Sequence, residues 1–447
     1  MNLIFDIHDR PKFGQLIVFA FQQLLAILAA TIAVPSIVGN GMSQSAALFG
    51  AGVGTIIYLL FTKFRSPVFL GSSFAFIGSM LAAFAGAVST QVGYAGLIIG
   101  AVFAGAVYVL IALIVKVAGV MWINKLMPAV VIGPTVAIIG LSLAGNAVSD
   151  SLAGAYDEAA GAFIMNTHTW VSLICAIVTL FVVIICSVYG KKMVRLIPFI
   201  IGIAAGYIVA TIFTLVGTST GNSDLILIDF SVFNNMQWVP EFTFVEAAKG
   251  FAEVDSQYIA TVAVAYIPVA FVVFAEHIAD HKNLSNIISR DLLDNPGLHR
   301  TLLGDGVGSI FGAFFGGCPN TTYGESVGCV AITGNASVVT ILATAILSMI
   351  ASFIGPFVTF LSSIPGCVMG GVCITLYGFI AVSGLKMIQF VDLNENRNLF
   401  VVSVILIAGI GGMALQIGQV TLTEIACALI LGIIVNLILS RNDKKKF

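Results

Sequence analysis

Long apolar stretches, separated by short polar segments, follow one another along most of the chain. A helix needs about 20 apolar residues to cross a bilayer. The pattern predicts fourteen spans, near residues 14–37, 45–62, 68–87, 94–116, 122–145, 169–189, 196–217, 258–280, 299–316, 319–335, 337–360, 366–387, 399–416 and 423–440. An even number of spans places both ends of the chain on the same side of the membrane.

The composition leads to the same class of protein. Of the 447 residues, 59% are hydrophobic and only 9% are charged, whereas a soluble protein averages about 25% charged residues. The seven cysteines lie in apolar stretches without paired spacing, so we expect buried small side chains rather than disulfides or metal ligands. The first apolar run shows no cleavage site and is expected to remain as a transmembrane helix. The sequence therefore predicts a multi-pass membrane protein embedded in lipid.

The basic residues give the orientation. With the N-terminus inside, Lys249 is the only one of the 19 Lys and Arg residues that falls in an outer segment. Basic residues are enriched in cytoplasmic loops of membrane proteins. We therefore expect both termini in the cytoplasm and the protein in the cell (inner) membrane. The basic C-terminal tail is interpreted as a membrane-flanking segment, not as a nucleic-acid site.

One apolar stretch, residues 318–328, is interrupted at membrane depth. It contains a proline, two glycines, four polar side chains and the carboxylate of Glu325. Irregular backbone is tolerated at this depth only where protein or a water-filled cavity covers it, and an ionisable group there indicates a functional site. Gly324 and Glu325 are predicted to form the first turn of a half-helix, whose free N–H groups face the break. These donors and acceptor suit a small polar ring.

A second interrupted stretch resembles the first. Residues 70–76 and 320–325 each have two hydroxyl residues, then an aromatic and a small residue, and each follows a proline, Pro67 or Pro319. They fall in the third and tenth predicted spans. An offset of seven spans, an odd number, indicates two halves of opposite topology, and paired interrupted segments of this kind indicate the substrate site of a transporter.

Four acidic residues fall inside predicted spans: Glu276, Asp280, Asp305 and Glu325. Glu276 and Asp280 share a helix face because they are four residues apart. Carboxylates that need not all be ionised suggest proton coupling. His277 lies one position off that face, where a structural role is favoured over a proton relay.

No motif indicates an enzyme or a cofactor. The sequence has no Cys/His cluster with metal-ligand spacing, no phosphate-binding loop for ATP, and no nucleophile–base pair at one membrane depth. We therefore expect a secondary transporter without a metal or a cofactor.

Several motifs together resemble the nucleobase/ascorbate transporter family. They are Gly-Ser-Ser-Phe-Ala-Phe (71–76), Ala-Glu-His (275–277), Asn-Pro-Gly-Leu-His-Arg (295–300), Pro-Asn-Thr-Thr-Tyr-Gly-Glu (319–325) and Val-Met-Gly-Gly-Val (368–372). The resemblance covers nearly the whole chain and is strongest to the bacterial uracil:proton symporters of that family. Uracil and protons are therefore the expected partners of the protein, and a homodimer is a family expectation.

The resemblance implies an all-α polytopic fold with 14 transmembrane helices in two inverted repeats of seven. Short β-strands are expected in the third and tenth spans. Residues 1–120 and 241–362 would form a core domain that holds the substrate. Residues 121–240 and 363–447 would form a gate domain that closes over it.

The resemblance also implies substrate-binding residues. Phe74 and Gly324 would offer backbone N–H groups, while Glu276 and Glu325 would accept hydrogen bonds from ring N–H groups. Tyr323 belongs to the same motif and is included in the candidate site.

Two further substrate contacts come from the same resemblance, whereas the three proton-coupling groups come from the carboxylates inside the predicted spans. Ala30 would pack near the ring, and Tyr377 would lie on the gate side. The proton-coupling groups are Glu276, Asp280 and Asp305. The family's best-known uracil permeases have a histidine where this chain has Asp280, which puts the proton relay, but not the fold, in question.

Two alternatives remain open at this point. A purine permease on the same fold is one, although purine transporters usually have glutamine in place of Glu325. Uracil presents two N–H donors and two carbonyl acceptors, which two carboxylates and backbone N–H groups match. An anion transporter or channel is the other, although the candidate site is acidic.

Overall fold

The computed structural model describes residues 3–119, 128–157, 160–191, 193–417 and 420–440. The first residues of the fifth predicted span, with Lys125, lie outside the described residues, as does the C-terminal basic tail.

The described chain is mostly helical, and its helices follow the apolar stretches of the sequence. The first half contains α1 (Phe13–Val38), α2 (Gln44–Phe61), α3 (Ile77–Ala85), α4 (Thr90–Ala118), α5 (Ala129–Ser142), α6 (Ala144–Ser151), α7 (Thr167–Tyr189), α8 (Met193–Leu196) and α9 (Pro198–Thr220). The second half contains α10 (Thr243–Gly250), α11 (Ser256–Ile288), α12 (Leu298–Gly316), α13 (Gly324–Thr333), α14 (Val338–Ala351), α15 (Gly355–Ser362), α16 (Gly366–Ile388), α17 (Asn396–Ile410) and α18 (Glu424–Ser440).

Polar side chains at the starts of long helices satisfy free backbone N–H groups. Ser43 accepts from the N–H of Ala46 at α2, and Asp255 accepts from the N–H of Tyr258 at α11. These caps help to explain why the helices begin where the polar segments end.

Eight helices within the described residues are long and apolar enough to cross a membrane. The number rises to nine if α14 and α15, which meet at a bend of 83°, form one broken span. The predicted multi-helix membrane protein is thereby confirmed. The count of fourteen spans and the inverted repeat remain predictions.

The two interrupted stretches contain short strands that pair with each other. Strand β1 (Leu70–Ser72) and strand β4 (Asn320–Thr322) are antiparallel, with Leu70 opposite Thr322 and Ser72 opposite Asn320. A 3₁₀ turn (Phe74–Phe76) and α3 follow β1, and α13 follows β4. Two other small hairpins pair β2 (Tyr156–Asp157) with β3 (Ala162–Phe163), and β5 (Leu415–Ile417) with β6 (Val420–Leu422).

Glycines allow close approach of helices in two separate places. A Cβ placed on Gly50 of α2 would lie 2.4 Å from the carbonyl oxygen of Gly312 on α12. A Cβ on Gly384 of α16 would lie 2.2 Å from the backbone nitrogen of Ala137 on α5. Small residues let backbones pack closely inside membranes. Helices α2, α4 and α12 thus pack in one group, and α5, α7 and α16 in another.

Candidate functional site

The site is built around the pair of short strands. Backbone hydrogen bonds extend the pairing on both sides of it, from the N–H of Ser73 to Pro319 O (3.0 Å) and from the N–H of Tyr323 to Phe69 O (3.3 Å). These bonds satisfy backbone groups of strands that are buried and would otherwise be left unpaired. The side chain of Tyr323 crosses to the other strand and donates from Oη to Ser72 O at 2.8 Å.

A cavity of about 470 Å³ lies beside the strands. A volume in the range of about 300–1,000 Å³ is usual for small-molecule sites. Six of the residues singled out from the sequence line this cavity, namely Phe74, Glu276, Asp280, Tyr323, Gly324 and Glu325. The structure therefore brings together, at one place, residues that are up to 251 positions apart in the chain (325 − 74).

Three carboxylates face the cavity from two helices. Glu276 and Asp280 lie on one side of α11, and each is half-buried. Asp280 Oδ2 accepts a hydrogen bond from Thr322 Oγ1 at 2.8 Å, which connects α11 to β4. Glu325 lies in the first turn of α13, where the free N–H groups of a helix favour an acidic side chain.

Two polar residues that the sequence analysis did not single out hold the start of α13. The Ser326 hydroxyl accepts from Gln23 Nε2 at 2.6 Å and from the N–H of Phe69 at 3.1 Å. Ser326 is fully buried. It joins α13 to α1 and to the residue that precedes β1, and thereby fixes the position of the neighbouring Glu325.

Three of the predicted site residues do not line the cavity. Ala30 is buried in α1, and Ala26, one turn earlier, lines the cavity instead. The Tyr377 ring packs edge-on against the ring of Phe74, with centroids 5.9 Å apart, so it lies behind a lining residue. Asp305 is buried elsewhere, with its Oδ2 2.6 Å from His277 Nδ1.

The opposite side of the cavity is largely apolar and comes from α5, α8, α9 and α16. Its members include Val136, Phe199, Leu376 and Phe379. Arg195 of α8 also lies here, and within the described part of the chain no other basic residue lines the cavity. The position of Arg195 just before an apolar stretch is typical of an ordinary flanking charge, so nothing in the sequence indicates that it reaches the site. Among the described lining residues, one side of the cavity is thus acidic and polar, and the other is apolar apart from Arg195.

The described residues contain no group of three or more His, Cys, Asp or Glu side chains that could hold a metal ion. All seven cysteines are buried.

The cavity has an acidic face and an apolar face. It can bind a small, flat, polar molecule between them.

Comparison with known proteins identifies relatives over almost the whole chain. The uracil permease of Bacillus caldolyticus is 40% identical over 439 residues, which cover 98% of this chain and 94% of the relative. The uracil permease of Bacillus subtilis (strain 168) is 38% identical over 446 residues, covering 98% and 96%. That of Escherichia coli (strain K12) is 34% identical over 434 residues, covering 97% and 93%.

Solved structures share the fold at low sequence identity. The transmembrane domain of the cyanobacterial bicarbonate transporter BicA matches with a TM-score of 0.65 and 14% identity, covering 97% of this chain and 99% of that one. The murine anion transporter Slc26a9, in the inward-facing state, matches with a TM-score of 0.68 and 12% identity, covering 97% and 69%. At such identities the likeness concerns the fold alone.

The family model that matches is Xan_ur_permease, the Permease family, over residues 14–418. This match and the full-length relatives confirm the family resemblance drawn from the motifs. The chain is a multi-pass membrane transport protein that belongs to the Permease family.

Proposed function

We propose that this protein imports uracil across the cytoplasmic membrane by proton symport and alternating access. The observation that carries the proposal is the convergence of Glu276 and Glu325 on one cavity, beside the first residues of two helices. The full-length relatives named uracil permeases support the choice of substrate.

The hydrogen-bonding groups of the cavity match the edge of uracil. Gly324 is the first residue of α13 and Phe74 the first of the 3₁₀ turn, and N–H groups at such positions have no partner within the helix. They would donate to the two ring carbonyls. Glu276 and Glu325 would accept from the two ring N–H groups. The apolar side of the cavity would cover the face of the ring.

Proton coupling is proposed for the acidic face of α11. Glu276, Asp280 and Glu325 share one partly desolvated cavity, where repulsion between ionised carboxylates is stronger than in water. Binding a proton together with uracil relieves that repulsion. We assign the coupled proton to Glu276, with Asp280 as its neighbour on the same face. The part of Asp305 is considered in the next subsection.

Alternating access requires two bodies that move against each other. We propose the core (residues 1–120 and 241–362) and gate (121–240 and 363–447) as those bodies. The separate packing of α2, α4 and α12 and of α5, α7 and α16 supports the division. The same order of strand and helix in the two interrupted segments supports an inverted repeat. Fourteen spans, cytoplasmic termini and a homodimer remain part of this proposal.

A purine or other nucleobase permease is the second candidate. The cavity offers a carboxylate at Glu325, which accepts but does not donate, and this favours a ring edge that carries N–H groups. An anion substrate, as in the proteins of similar fold, is disfavoured by three carboxylates against one arginine in the cavity.

The test replaces each carboxylate by its isosteric amide. We expect Glu276→Gln and Glu325→Gln to lose uracil binding while both proteins remain folded in detergent. Glu246→Gln, which changes a partly exposed acid on α10 that pairs with Lys249 and does not line the cavity, is the matched control and should bind like the wild type. Wild-type affinity in either cavity variant would contradict the assigned role.

Counterflow of labelled uracil in vesicles, with and without a pH gradient, tests the transport mode. Competition by xanthine, urate and thymine tests the substrate. Stronger competition by xanthine than by unlabelled uracil would favour the purine candidate.

A further inference from the structure

Helix α11 has polar side chains on two different faces. Glu276 and Asp280 face the cavity. His277 and His281, each one position further along, are completely buried on another face. Successive residues of an α-helix are about 100° apart around its axis. Whatever holds the two histidines therefore also determines where the two carboxylates point.

His277 is held by α12 through both of its ring nitrogens. Nε2 lies 2.9 Å from Thr301 Oγ1, and Nδ1 lies 2.6 Å from Asp305 Oδ2. The Thr301 hydroxyl donates its only proton to Leu298 O at 3.0 Å, so Nε2 carries a proton and donates to Thr301. One further proton must lie between Nδ1 and Asp305. The pair therefore shares one proton and has no net charge.

His281 is held by α2 and by the helix itself. Its Nδ1 donates to His277 O at 2.8 Å, and its Nε2 lies 2.7 Å from Tyr58 Oη. Tyr58 is also 2.7 Å from the Ser66 hydroxyl. The rings of His277 and His281 stack with centroids 4.1 Å apart. The two histidines thus join α11 to both α2 and α12.

Asp305 is separated from the substrate cavity. Its Oδ1 is buried and has no hydrogen-bond partner. The residue lines a small space together with Tyr108, Ser309 and Thr321. That space leaves no room for a water molecule. Thr321 lies between this space and the cavity that contains the carboxylates. A proton on Asp305 consequently has no water path to the cavity through this space.

We propose that His277 and His281 are positioning residues that fix the rotation of α11, and that the proton shared by His277 and Asp305 stays in place during transport. The titratable groups around the pair are Tyr108 on α4, Tyr58 on α2, and His281, Glu276 and Asp280 on α11 itself. Only the last two reach the cavity. Coupling of proton movement to transport then involves only the two carboxylates of α11, Glu276 and Asp280. This inference rests on the proposed uracil:proton symport.

The test compares two substitutions of Asp305. In Asp305→Asn, the amide N–H can donate to His277 Nδ1, so every hydrogen bond of the pair is kept without a transferable proton. In Asp305→Ala, the hydrogen bond is lost and a void opens. Uracil affinity, thermal stability and proton uptake per bound uracil are measured by calorimetry on purified protein, with proton uptake obtained from buffers of different ionisation enthalpy.

We expect Asp305→Asn to bind uracil within about threefold of the wild type, with the same proton uptake and pH profile. We expect Asp305→Ala to melt earlier and to lose about tenfold or more in affinity, the usual scale for a buried group left without its partner. If a folded Asp305→Asn protein loses proton uptake, or if its uracil binding loses its pH dependence, Asp305 is part of a relay and the inference is overturned. Failure of Asp305→Asn to fold or to bind would overturn it as well.

The two proposals can fail separately. If the wild type takes up no uracil, the proposed substrate is wrong. The melting temperatures of the two variants then still test the positioning role, and equal melting temperatures would refute it.

Discussion

Gly71 is a position where one added methyl group should disturb the whole site. A Cβ built there would lie 2.3 and 2.4 Å from two ring carbons of Tyr323, whereas carbon atoms in contact prefer about 3.5–4.0 Å. The ring cannot swing away freely, because Tyr323 is buried and its hydroxyl is bonded to Ser72 O. In Gly71→Ala we therefore expect β1 and β4 to move apart or the ring to leave its place.

The cost can be estimated from these contacts. Overpacking a buried site costs about 1–3 kcal/mol, and the loss of the Tyr323 hydrogen bond adds about 1 kcal/mol. If the whole cost of about 2–4 kcal/mol reduces the free energy of uracil binding, uracil affinity falls by roughly 30- to 1,000-fold. Calorimetry measures the affinity and thermal unfolding measures the stability.

Gly78→Ala is the matched control, because beyond the adjoining residues and backbone of its own helix no described atom lies within 4 Å of a Cβ at that glycine of α3. It should bind uracil like the wild type. If Gly71→Ala binds uracil within threefold of the wild type and melts at the same temperature, the close packing of Tyr323 on β1 does not support the site.

Three other changes test separate parts of the structure. Asp280→Asn should alter the dependence of uracil uptake on external pH. Thr322→Val removes only the hydrogen-bond donor to that carboxylate and should alter the pH dependence less. An unchanged pH dependence in Asp280→Asn would point to a purely structural carboxylate. Arg195→Gln should slow uracil uptake because the cation that shares the cavity with three carboxylates is lost. Arg195→Lys keeps the positive charge and should keep the uptake rate. Equal uptake rates in both variants would exclude a role for the charge. Gly384→Ala should destabilise the contact between α5 and α16 by about 1–3 kcal/mol, seen as earlier melting, whereas Gly145→Ala, with open space around it, should not.

The interrupted segments could be predicted because their sequence breaks a strong rule. Proline, glycine and polar residues rarely share an apolar stretch, so residues 318–328 stood out, and the similar residues 70–76 indicated where a partner lay. The i, i+4 spacing of Glu276 and Asp280 likewise placed both on one helix face, and both line the cavity. Local patterns in the sequence were sufficient to predict these features.

The rest of the site depends on contacts between distant segments, which a single sequence does not contain. Asp305 has the same local pattern as the cavity acids, a carboxylate in an apolar stretch, and only the fold shows that it faces His277 instead. Arg195 follows two lysines in a predicted inner loop and resembled an ordinary flanking charge. Ser326 belonged to the polar side chains of residues 318–328, but the sequence did not show that it holds α13 in place instead of contacting a substrate.

The position of the site follows from the needs of the backbone. Each interrupted segment ends its extended part in the buried interior of the protein, where unpaired N–H and C=O groups are costly. Neither segment can satisfy these groups alone, and β1 and β4 satisfy them by pairing. The helical turns that follow both strands then direct free N–H groups towards the same space. The donors come from both segments. A substitution in one segment, such as Gly71→Ala, should therefore also disturb the geometry of the other segment, where Glu325 lies.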